Sequence, residues 1–204
     1  MDIRRVARRA EYAAERISTA YPERMRKISR LAREEDRLRS LAAGLLLCDV
    51  LGAPEILYEE GGKPRASGGP HFSLSHSGDY ALLAVDGGPV GVDTEKWETW
   101  FGDEWPALSR ALFHEEERIA LTKNGTPSVE MFFDMWTLKE SYLKMLGTGL
   151  SAEPSGFAVK IEGRRARVES DPGAYLRLYD LEGCSAAICA AHPNLPDKII
   201  EVAF

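Results

Sequence analysis

A helical stretch followed by several strands occurs twice along this chain. In each half a helix-forming stretch ends at Leu-Gly, first at Leu51-Gly52 and again at Leu146-Gly147, 95 positions later. Glycine directly after a helical pattern is a common helix C-terminus. Further on, segment 74–84 resembles segment 179–189. The repeat predicts an α+β fold, a pseudo-twofold duplication of a helix-plus-antiparallel-meander unit.

The repeat also predicts how the 204 residues are organised, as an N-terminal half over 1–96 and a C-terminal half over 97–204. The irregular, aromatic stretch 97–105 is the best candidate for a linker. Ligand sites are frequent between domains, so we expect the ligand in a cleft between the halves. A duplication within one chain predicts a protein that works as a monomer.

Apolar spacing and turn residues predict the individual elements. Helices are expected near 1–20, from Tyr21-Pro22 onward, and near 34–51, 106–112, 114–122 and 128–146. Strands are expected near 56–58, 71–75, 80–85, 90–95, 157–161, 165–169, 175–180, 185–191 and 199–203. The Gly- and Pro-rich segment 59–70 is expected to be a loop.

Composition excludes several classes of protein. The chain is 44% hydrophobic and 28% charged, which excludes wholesale disorder. No apolar run approaches the ~20 residues of a membrane span, and the first residues lead into no apolar core of a secretory signal. Cys48, Cys184 and Cys189 have neither C-x-x-C nor zinc-ligand spacing. They predict free thiols, as small hydrophobic side chains in a reducing cytoplasm. Without a predicted span or secretory signal, no membrane partner is expected.

The net charge of −6 argues against a nucleic-acid partner, but the charge is distributed unevenly. Residues 1–40 carry twelve Arg and Lys against seven Asp and Glu, whereas the remainder carries fourteen against twenty-five. A basic segment on an acidic protein can hold a small anion, because charges act over about 8–10 Å at physiological salt. A solvated basic helix is the alternative.

Asp93 and Glu95, in Gly91-Val92-Asp93-Thr94-Glu95, are a candidate metal site. Positions i and i+2 of a strand face the same side, so the two carboxylates project together. They repel unless a cation lies between them, and oxygen-only ligands suit Mg²⁺. A solvated strand end is the alternative.

Glu140 and Lys144 are four residues apart and share one face of a largely apolar helix. Apolar residues flank them on that helix, namely Phe132, Phe133, Met135, Trp136 and Leu143. An acid and a base on a buried helix need partners, and a Mg²⁺–phosphate centre would supply both charges. A surface ion pair is the alternative.

The segment 71–77 alternates hydroxyl and larger side chains, with Ser73, Ser75 and Ser77 on one strand face and His76 at the start of a turn. This arrangement is a candidate phosphate cradle, and a polar edge strand is the alternative. No second H-x-[ST] follows at domain spacing, which excludes a two-histidine phosphoesterase. The absence of G-x-S-x-G argues against a Ser–His hydrolase.

Gly62-Lys63-Pro64 is the last candidate segment. Because Pro64 restricts Lys63 to extended geometry, the lysine would present its ammonium in a fixed direction. A simple turn in a loop is the alternative.

Taken in order, these segments resemble the Sfp-type 4′-phosphopantetheinyl transferases. The family pattern has G-K-P, a strand ending in S-H-S, G-[IV]-D-x-E, W-[ST]-x-K-E-[SA]-x-x-K and G-x-G-L. The corresponding segments here are 62–64, 75–77, 91–95, 136–144 and 147–150, and the match runs from about residue 22 to 150. Each motif alone is weak, but the ordered set is specific. The family fold is also a pseudo-twofold duplication of an α+β unit.

The resemblance implies transfer of the 4′-phosphopantetheine arm of coenzyme A to a serine of an apo acyl or peptidyl carrier protein, with release of 3′,5′-ADP. It implies that Asp93, Glu95 and Glu140 ligate Mg²⁺, or Mn²⁺ in its place. Glu140 would also accept the proton of the carrier serine. Lys144 and His76 would contact the coenzyme A diphosphate.

The resemblance also assigns the remaining coenzyme A contacts. The residues expected at the 3′-phosphate are Arg24, Lys27, Arg39 and Ser75. Lys63 and Pro64 would line the adenine. Glu117 resembles a further acidic position of the family, and a helix-start carboxylate is the alternative for it.

Residues 1–20 depart from the family, whose members usually begin with a strand, whereas this segment is predicted to be helical and carries five arginines. The departure is expected to affect carrier docking rather than the chemistry.

Two alternative functions stay open. One is a non-catalytic paralogue that binds coenzyme A or a carrier protein, and the other is a Mg²⁺-dependent phosphodiesterase. Every charged position of the transfer site is filled, which disfavours the paralogue.

Overall fold

The structure, a computed structural model, describes residues 1–98, 104–123, 125, 128–149 and 152–202. The helices are α1 Ile3–Ala7, α2 Ala10–Ala20, α3 Pro22–Ser29, α4 Glu34–Leu51, α5 Trp105–Leu112, α6 Glu115–Thr122 and α7 Val129–Leu146. The strands are β1 Ile56–Tyr58, β2 Pro64–Ala66, β3 His71–Ser77, β4 Tyr80–Asp86, β5 Val90–Lys96, β6 Val159–Glu162, β7 Arg165–Val168, β8 Asp171–Leu181 and β9 Cys184–Ala190. The predicted α+β class is confirmed.

The repeat is visible in α4 and α7, which are both 18 residues long. Each helix ends at a glycine in the left-handed conformation, with φ of 72° at Gly52 and 73° at Gly147. Glycine adopts this conformation without the steric penalty that a Cβ brings. An antiparallel hairpin follows in each half, β3–β4 after α4 and β8–β9 after α7.

Three antiparallel sheets form within the described residues. Two are the pairs β1–β2 and β3–β4, and the third has the order β5-β9-β8-β7-β6. The strand β5, which ends at Lys96, is therefore hydrogen-bonded to a strand of the C-terminal half, with Asp93 opposite Ala187. The division of the chain at residue 96 stays a prediction.

Strand β3 lies beside β5, where three serine side chains replace backbone carbonyls as acceptors. The backbone N–H groups of three β5 residues donate to three β3 hydroxyls, from Val92 to Ser73, from Thr94 to Ser75 and from Lys96 to Ser77, at 3.0, 3.3 and 2.9 Å. We call these three serines the serine ladder. Each pair is 19 residues apart, so the two strands run in the same direction. The ladder joins the β3–β4 sheet to the five-stranded sheet.

Helix α7 packs closely across β5. A Cβ at Gly91 would overlap the Ser141 carbonyl oxygen on α7, so only glycine fits at this point of approach. The other side of α7 belongs to the larger core, together with residues of β8 and β9 such as Leu176 and Cys189. A second core lies among α1, α2 and α4. The close approach at Gly91 brings the site residues of α7 next to those of β5.

Residues 1–20 are largely helical, as predicted, and form α1 and α2. The residue before α1 pairs with the edge of β4 through a single bridge, Asp2 opposite Tyr80. The Ile3 N–H also donates to the Asp79 carbonyl at 2.9 Å. The start of the chain therefore covers the beginning of β4 without forming a full strand.

Two predictions of local structure are wrong. The Gly- and Pro-rich pattern predicts a loop over 59–70, but Pro64–Ala66 forms β2 because it pairs with β1 in a short hairpin. Residues 199–202 form no strand, because side chains on β8 hold the preceding segment instead. Arg177 donates to Asp197 at 2.7 Å and Tyr179 to the Pro196 carbonyl at 2.7 Å.

Some predictions fall on residues that are not described. Of the predicted linker, residues 99–103 lie outside the described residues, as do residue 203 of the predicted last strand and Leu150 of the final motif. Over the described ranges, no helix has the length and apolar character needed to cross a bilayer.

Candidate active site

Asp93 lies in the middle of β5 and is 2% exposed. Its Oδ1 accepts hydrogen bonds from Ser75 Oγ at 2.8 Å and from Lys144 Nζ at 2.5 Å. Its Oδ2 is buried and has no hydrogen-bond partner. Burial raises the pKa of Asp93, although Lys144 and Ser75 act in the opposite direction. A buried carboxylate oxygen without a partner is costly, so Asp93 is suited to binding a further cation.

Glu95 lies two residues further along β5, on the same side of the strand as Asp93. Its Oε2 accepts a hydrogen bond from Ser77 Oγ at 3.2 Å, and Trp136 donates to the same carboxylate. Burial, and then the charge of Asp93, raise the pKa of Glu95 to about 7. The two β5 carboxylates therefore interact, as the D-x-E spacing predicts.

Helix α7 contributes Glu140 and Lys144, which are one turn apart on the face toward β5. Burial, and then the charge of Asp93, raise the pKa of Glu140. Lys144 bridges the two elements, because its Nζ contacts both Asp93 Oδ1 and Ser75 Oγ, the latter at 3.1 Å. The structure thus brings the predicted acids and Lys144 together.

These acids are not arranged as a ready-made ligand set. Over the part of the chain that the structure describes, no three or more His, Cys, Asp or Glu side chains are placed, as they stand, to hold a metal ion by themselves. Lys144 occupies Oδ1 of Asp93, which leaves Oδ2 as its buried, unpartnered oxygen. A divalent cation here would therefore take part of its coordination from water or from the substrate.

A group of cationic side chains lies near His76 and includes Lys144. The His76 side chain is exposed on β3, and partial desolvation and the charges of Arg24, Arg39 and Lys144 lower its pKa, while a backbone hydrogen bond acts in the opposite direction. Such an effect requires that the three cations lie near the imidazole. The basic N-terminal segment and the S-H-S motif, distant in sequence, therefore meet at one place.

Arg24 and Arg39 are satisfied to different degrees. Arg24 Nη2 donates to the Ser40 carbonyl at 3.3 Å, but its Nε is buried without a partner, and burial lowers the pKa of Arg24. Arg39 is paired with Asp36 at 2.6 Å and donates to the Gly78 carbonyl at 3.1 Å. Lys27 is exposed on α3, the helix that carries Arg24. Arg24 is the cation of this group with an unused buried donor.

A cavity of about 530 Å³ lies between the β1–β2 hairpin, β3 and α7. Glu140 and Lys144 form part of its polar lining, while Pro64, Trp136 and Leu143 contribute apolar walls. Lys63 also lines the cavity, but its Nζ donates to the carbonyls of Val90 and Met145 at 3.0 and 2.8 Å. Lys63 thus anchors the wall of the cavity to the end of α7.

The hydroxyl face of β3 is directed at β5. Ser73 and Ser75 are buried, and all three ladder serines bind backbone amides there. Ser75, predicted to bind the 3′-phosphate, contacts Asp93 and Lys144 instead of the arginines. Sequence reasoning missed the contact between Ser77 and Glu95. The alternating serines signalled a shared face, but not the strand that this face would meet.

Glu117 lies outside this group. Its carboxylate accepts two hydrogen bonds of 2.8 Å from Lys139 Nζ, and the backbone N–H groups of His114 and Val159 also donate to it. Together with His114 it forms the capping box at the start of α6. The alternative, a helix-start carboxylate, is therefore confirmed. Glu117 ties α6 to α7 and β6.

The chain is similar to known proteins over most of its length. The family model described as ACPS, 4′-phosphopantetheinyl transferase superfamily, matches residues 89–189. The 4′-phosphopantetheinyl transferase Sfp of Bacillus subtilis (strain 168) is 30% identical over 204 residues, covering 92% of this chain and 89% of that protein. The 4′-phosphopantetheinyl transferase gsp of Aneurinibacillus migulanus is 34% identical over 142 residues, covering 65% and 58%.

A solved holo-(acyl-carrier-protein) synthase from Bacillus anthracis str. Ames, in complex with CoA (3′,5′-ADP), aligns with 50% of this chain and 92% of its own. Its TM-score is 0.41 and its identity 18%. The family assignment rests on the sequence relatives, whose similarity spans both halves and includes the β5 and α7 motifs. This chain belongs to the 4′-phosphopantetheinyl transferase superfamily.

Proposed function

We propose that this protein transfers the 4′-phosphopantetheine arm of coenzyme A to a serine of an apo acyl or peptidyl carrier protein. The observation that carries the proposal is the meeting of two groups of opposite charge at Lys144. The acids are Asp93, Glu95 and Glu140, and the cations are Arg24, Arg39 and Lys144 itself, with the imidazole of His76 beside them. Acids suited to a divalent cation and cations suited to phosphates are what a phosphoryl-transfer site requires.

The acidic group fits a divalent cation. The donors are oxygens only, Asp93 Oδ2 has no partner, and burial raises the pKa of all three carboxyls. A cation among them would favour their ionised forms. Mg²⁺ usually pairs one or two carboxylates with water and substrate phosphate, and Mn²⁺ takes similar ligands. Asp93, Glu95 and Glu140 would hold the ion, which supplies charge neutralisation at the diphosphate when bound.

Glu140 is the proposed general base. It lines the cavity and its pKa is raised, so it binds a proton more readily than an exposed glutamate does. The carrier serine gives its proton to Glu140 while its oxygen attacks the phosphorus that bears the pantetheine arm. The bond from that phosphorus to the bridging oxygen breaks, and 3′,5′-ADP leaves. Lys144 and His76 would stabilise the negative charge on the phosphate oxygens.

The cationic group is proposed to hold the 3′-phosphate. Arg24 supports this role most directly, because its buried Nε lacks a partner and a phosphate oxygen would supply one. Lys27 and Arg39 would add charge, whereas Ser75 is engaged by Asp93 and Lys144. Pro64 and the aliphatic part of Lys63 would line the adenine in the apolar part of the cavity.

We also propose that the protein acts as a cytoplasmic monomer. Its three cysteines are free and buried, which agrees with a reducing compartment. Both charged groups lie within one chain, so a second copy is not needed to complete the site.

The test is incubation with apo carrier protein, coenzyme A and Mg²⁺, followed by mass spectrometry of the carrier. We expect a mass gain of one phosphopantetheine arm and an equal amount of 3′,5′-ADP. Glu140→Gln should bind coenzyme A but transfer little, whereas Glu98→Gln, which changes an exposed carboxyl, should transfer normally. Binding of coenzyme A without modification of several carriers would favour a non-catalytic paralogue. Release of nucleotide without carrier would favour a phosphodiesterase.

A further inference from the structure

Two rungs of the serine ladder carry a second hydrogen bond, and the third has none among the described residues. Ser75 Oγ donates to Asp93 at 2.8 Å and Ser77 Oγ donates to Glu95 at 3.2 Å. In both rungs the carboxylate belongs to the residue directly before the amide that the serine accepts, 18 positions from the serine. The residue before Val92 is Gly91, which has no side chain, so Ser73 makes the amide contact alone.

A serine hydroxyl has one proton and two acceptor lone pairs. Because Ser77 Oγ accepts the Lys96 N–H at 2.9 Å, its orientation is fixed and its proton is available to Glu95. Ser75 differs, since its oxygen also receives a hydrogen bond from Lys144. Besides the backbone amide of Lys96, Ser77 therefore contacts only the Glu95 carboxylate, whereas Ser75 contacts both a carboxylate and an ammonium.

We propose that Ser77 is a positioning residue for Glu95. Its hydroxyl holds the Glu95 carboxylate on the side of β5 where Asp93 lies, so that both can bind one divalent cation. Ser77 acts through Glu95 rather than by touching the substrate. The activity readout of this inference rests on the proposed transferase function, whereas its metal-binding readout does not.

The competing explanation is that Ser77 serves only to join β3 to β5, as Ser73 does. Ser73→Ala is therefore the matched control, since it removes an amide contact of the same kind without affecting a carboxylate. Asp93→Asn gives the baseline for metal bound elsewhere. The pair Ser77→Thr and Ser77→Val differs in the hydroxyl but little in shape, and β-branched residues suit a strand.

The experiment measures Mn²⁺ binding to each purified full-length variant through the EPR signal of free Mn²⁺. Ser77→Ala and Ser77→Val each lose one hydrogen bond to a charged group. We therefore expect their affinity for Mn²⁺ to be about tenfold weaker than that of the parent. Ser77→Thr and Ser73→Ala should remain within about twofold of the parent, because a change of that size is under half a kcal/mol. In the transfer assay, kcat for Ser77→Ala should fall while KM for coenzyme A stays unchanged, since the cationic group is intact.

Equal weakening in Ser73→Ala and Ser77→Ala would overturn the inference and assign both serines to joining the strands. Parental Mn²⁺ affinity in Ser77→Ala, or a parent protein that binds no more Mn²⁺ than Asp93→Asn, would overturn it as well. If Ser77→Ala does not fold, the comparison of Ser77→Thr with Ser77→Val decides. A parent that modifies no carrier would refute the proposed function, yet the Mn²⁺ comparison would still test Ser77.

Discussion

Lys144 Nζ lies 2.5 Å from Asp93 Oδ1 and joins α7 to β5 through an ion pair of unequal exposure. The Lys144 side chain is 31% exposed, whereas that of Asp93 is 3% exposed. The lysine therefore retains contact with water, while the carboxylate depends on the protein for its charge partners. Removing the charge of Asp93 should thus affect function far more than folding.

Asp93→Asn is expected to lower kcat of carrier modification by at least about 100-fold, as loss of charge stabilisation at a transfer site commonly does. The free energy of unfolding should change by less than about 1 kcal/mol, because a costly buried charge disappears and Lys144 can turn to solvent. Mass spectrometry of the carrier and urea denaturation measure the two effects. Near-parental turnover would remove Asp93 from the proposed metal site, and Glu98→Gln controls for loss of an acid in general.

The raised pKa of Glu95 predicts that the free energy of unfolding depends on pH. Its pKa in the folded protein is about 7, against an ordinary value of 4.5, so the folded state binds more protons than the unfolded state between these values. The contribution of Glu95 to the free energy of unfolding is fully present below pH 4.5. It is lost as the pH rises through about 7.

Glu95→Gln should therefore be more stable than the parent by about 1–3 kcal/mol at pH 8 without divalent cations, and equally stable near pH 4.5. Urea denaturation at both pH values measures the difference. Added Mg²⁺ should reduce the difference at pH 8, since the parent gains a ligand for its ionised carboxylates. The same stability difference at both pH values would show that burial of Glu95 is not the cause.

The buried, unpartnered Nε of Arg24 predicts that this residue recognises the 3′-phosphate of coenzyme A. Arg24→Ala should raise KM for coenzyme A about tenfold or more and leave kcat within about twofold, because the 3′-phosphate is remote from the reacting phosphorus. Parent and variant should use dephospho-coenzyme A equally well, since that substrate lacks the phosphate. Lys27→Ala, on the exposed side of the same helix, should have a smaller effect. A variant impaired equally with both substrates would place Arg24 elsewhere in the mechanism.

The sequence predicts local structure better than it predicts how the strands associate. The 18-residue helices α4 and α7 and their terminal glycines follow from apolar spacing and from the Leu-Gly signal. The pairing of β5 with β9 joins residues far apart in the chain, and no local pattern encodes it.

The same limit applies to the site. The D-x-E spacing and the i, i+4 spacing of Glu140 and Lys144 each place two groups on one face, and those groups do meet. The pairing of Lys144 with Asp93 and that of Ser77 with Glu95 depend on how α7 and β3 pack on β5. The position of Gly91 is in retrospect a signal, since a strand residue without a side chain marks a close approach.

Glu117 and Lys139 form the most deeply buried ion pair among the described residues, with side chains 1% and 0% exposed. Lys139 also donates to the Phe157 carbonyl at 2.6 Å, and its ammonium lies 4.0 Å from the centre of the Phe157 ring. The pair fixes α7 against α6 and β6, one residue before Glu140. Its expected role is to hold the helix that carries the proposed base.

Glu117→Gln should reduce the free energy of unfolding by about 3–5 kcal/mol, because it leaves the Lys139 charge buried without a counter-charge. Lys139→Met should be less costly, since backbone N–H groups of His114 and Val159 still donate to the Glu117 carboxylate. The double variant Glu117→Gln/Lys139→Met should regain at least half of the loss in Glu117→Gln, because no unpaired charge then remains buried. The control Lys160→Met breaks an exposed pair with Glu169 and should cost far less than Glu117→Gln, because solvent screens that pair. Urea denaturation of all four variants measures these changes in the free energy of unfolding. If Glu117→Gln destabilised the protein no more than Lys160→Met does, the buried pair would not hold α7 in place.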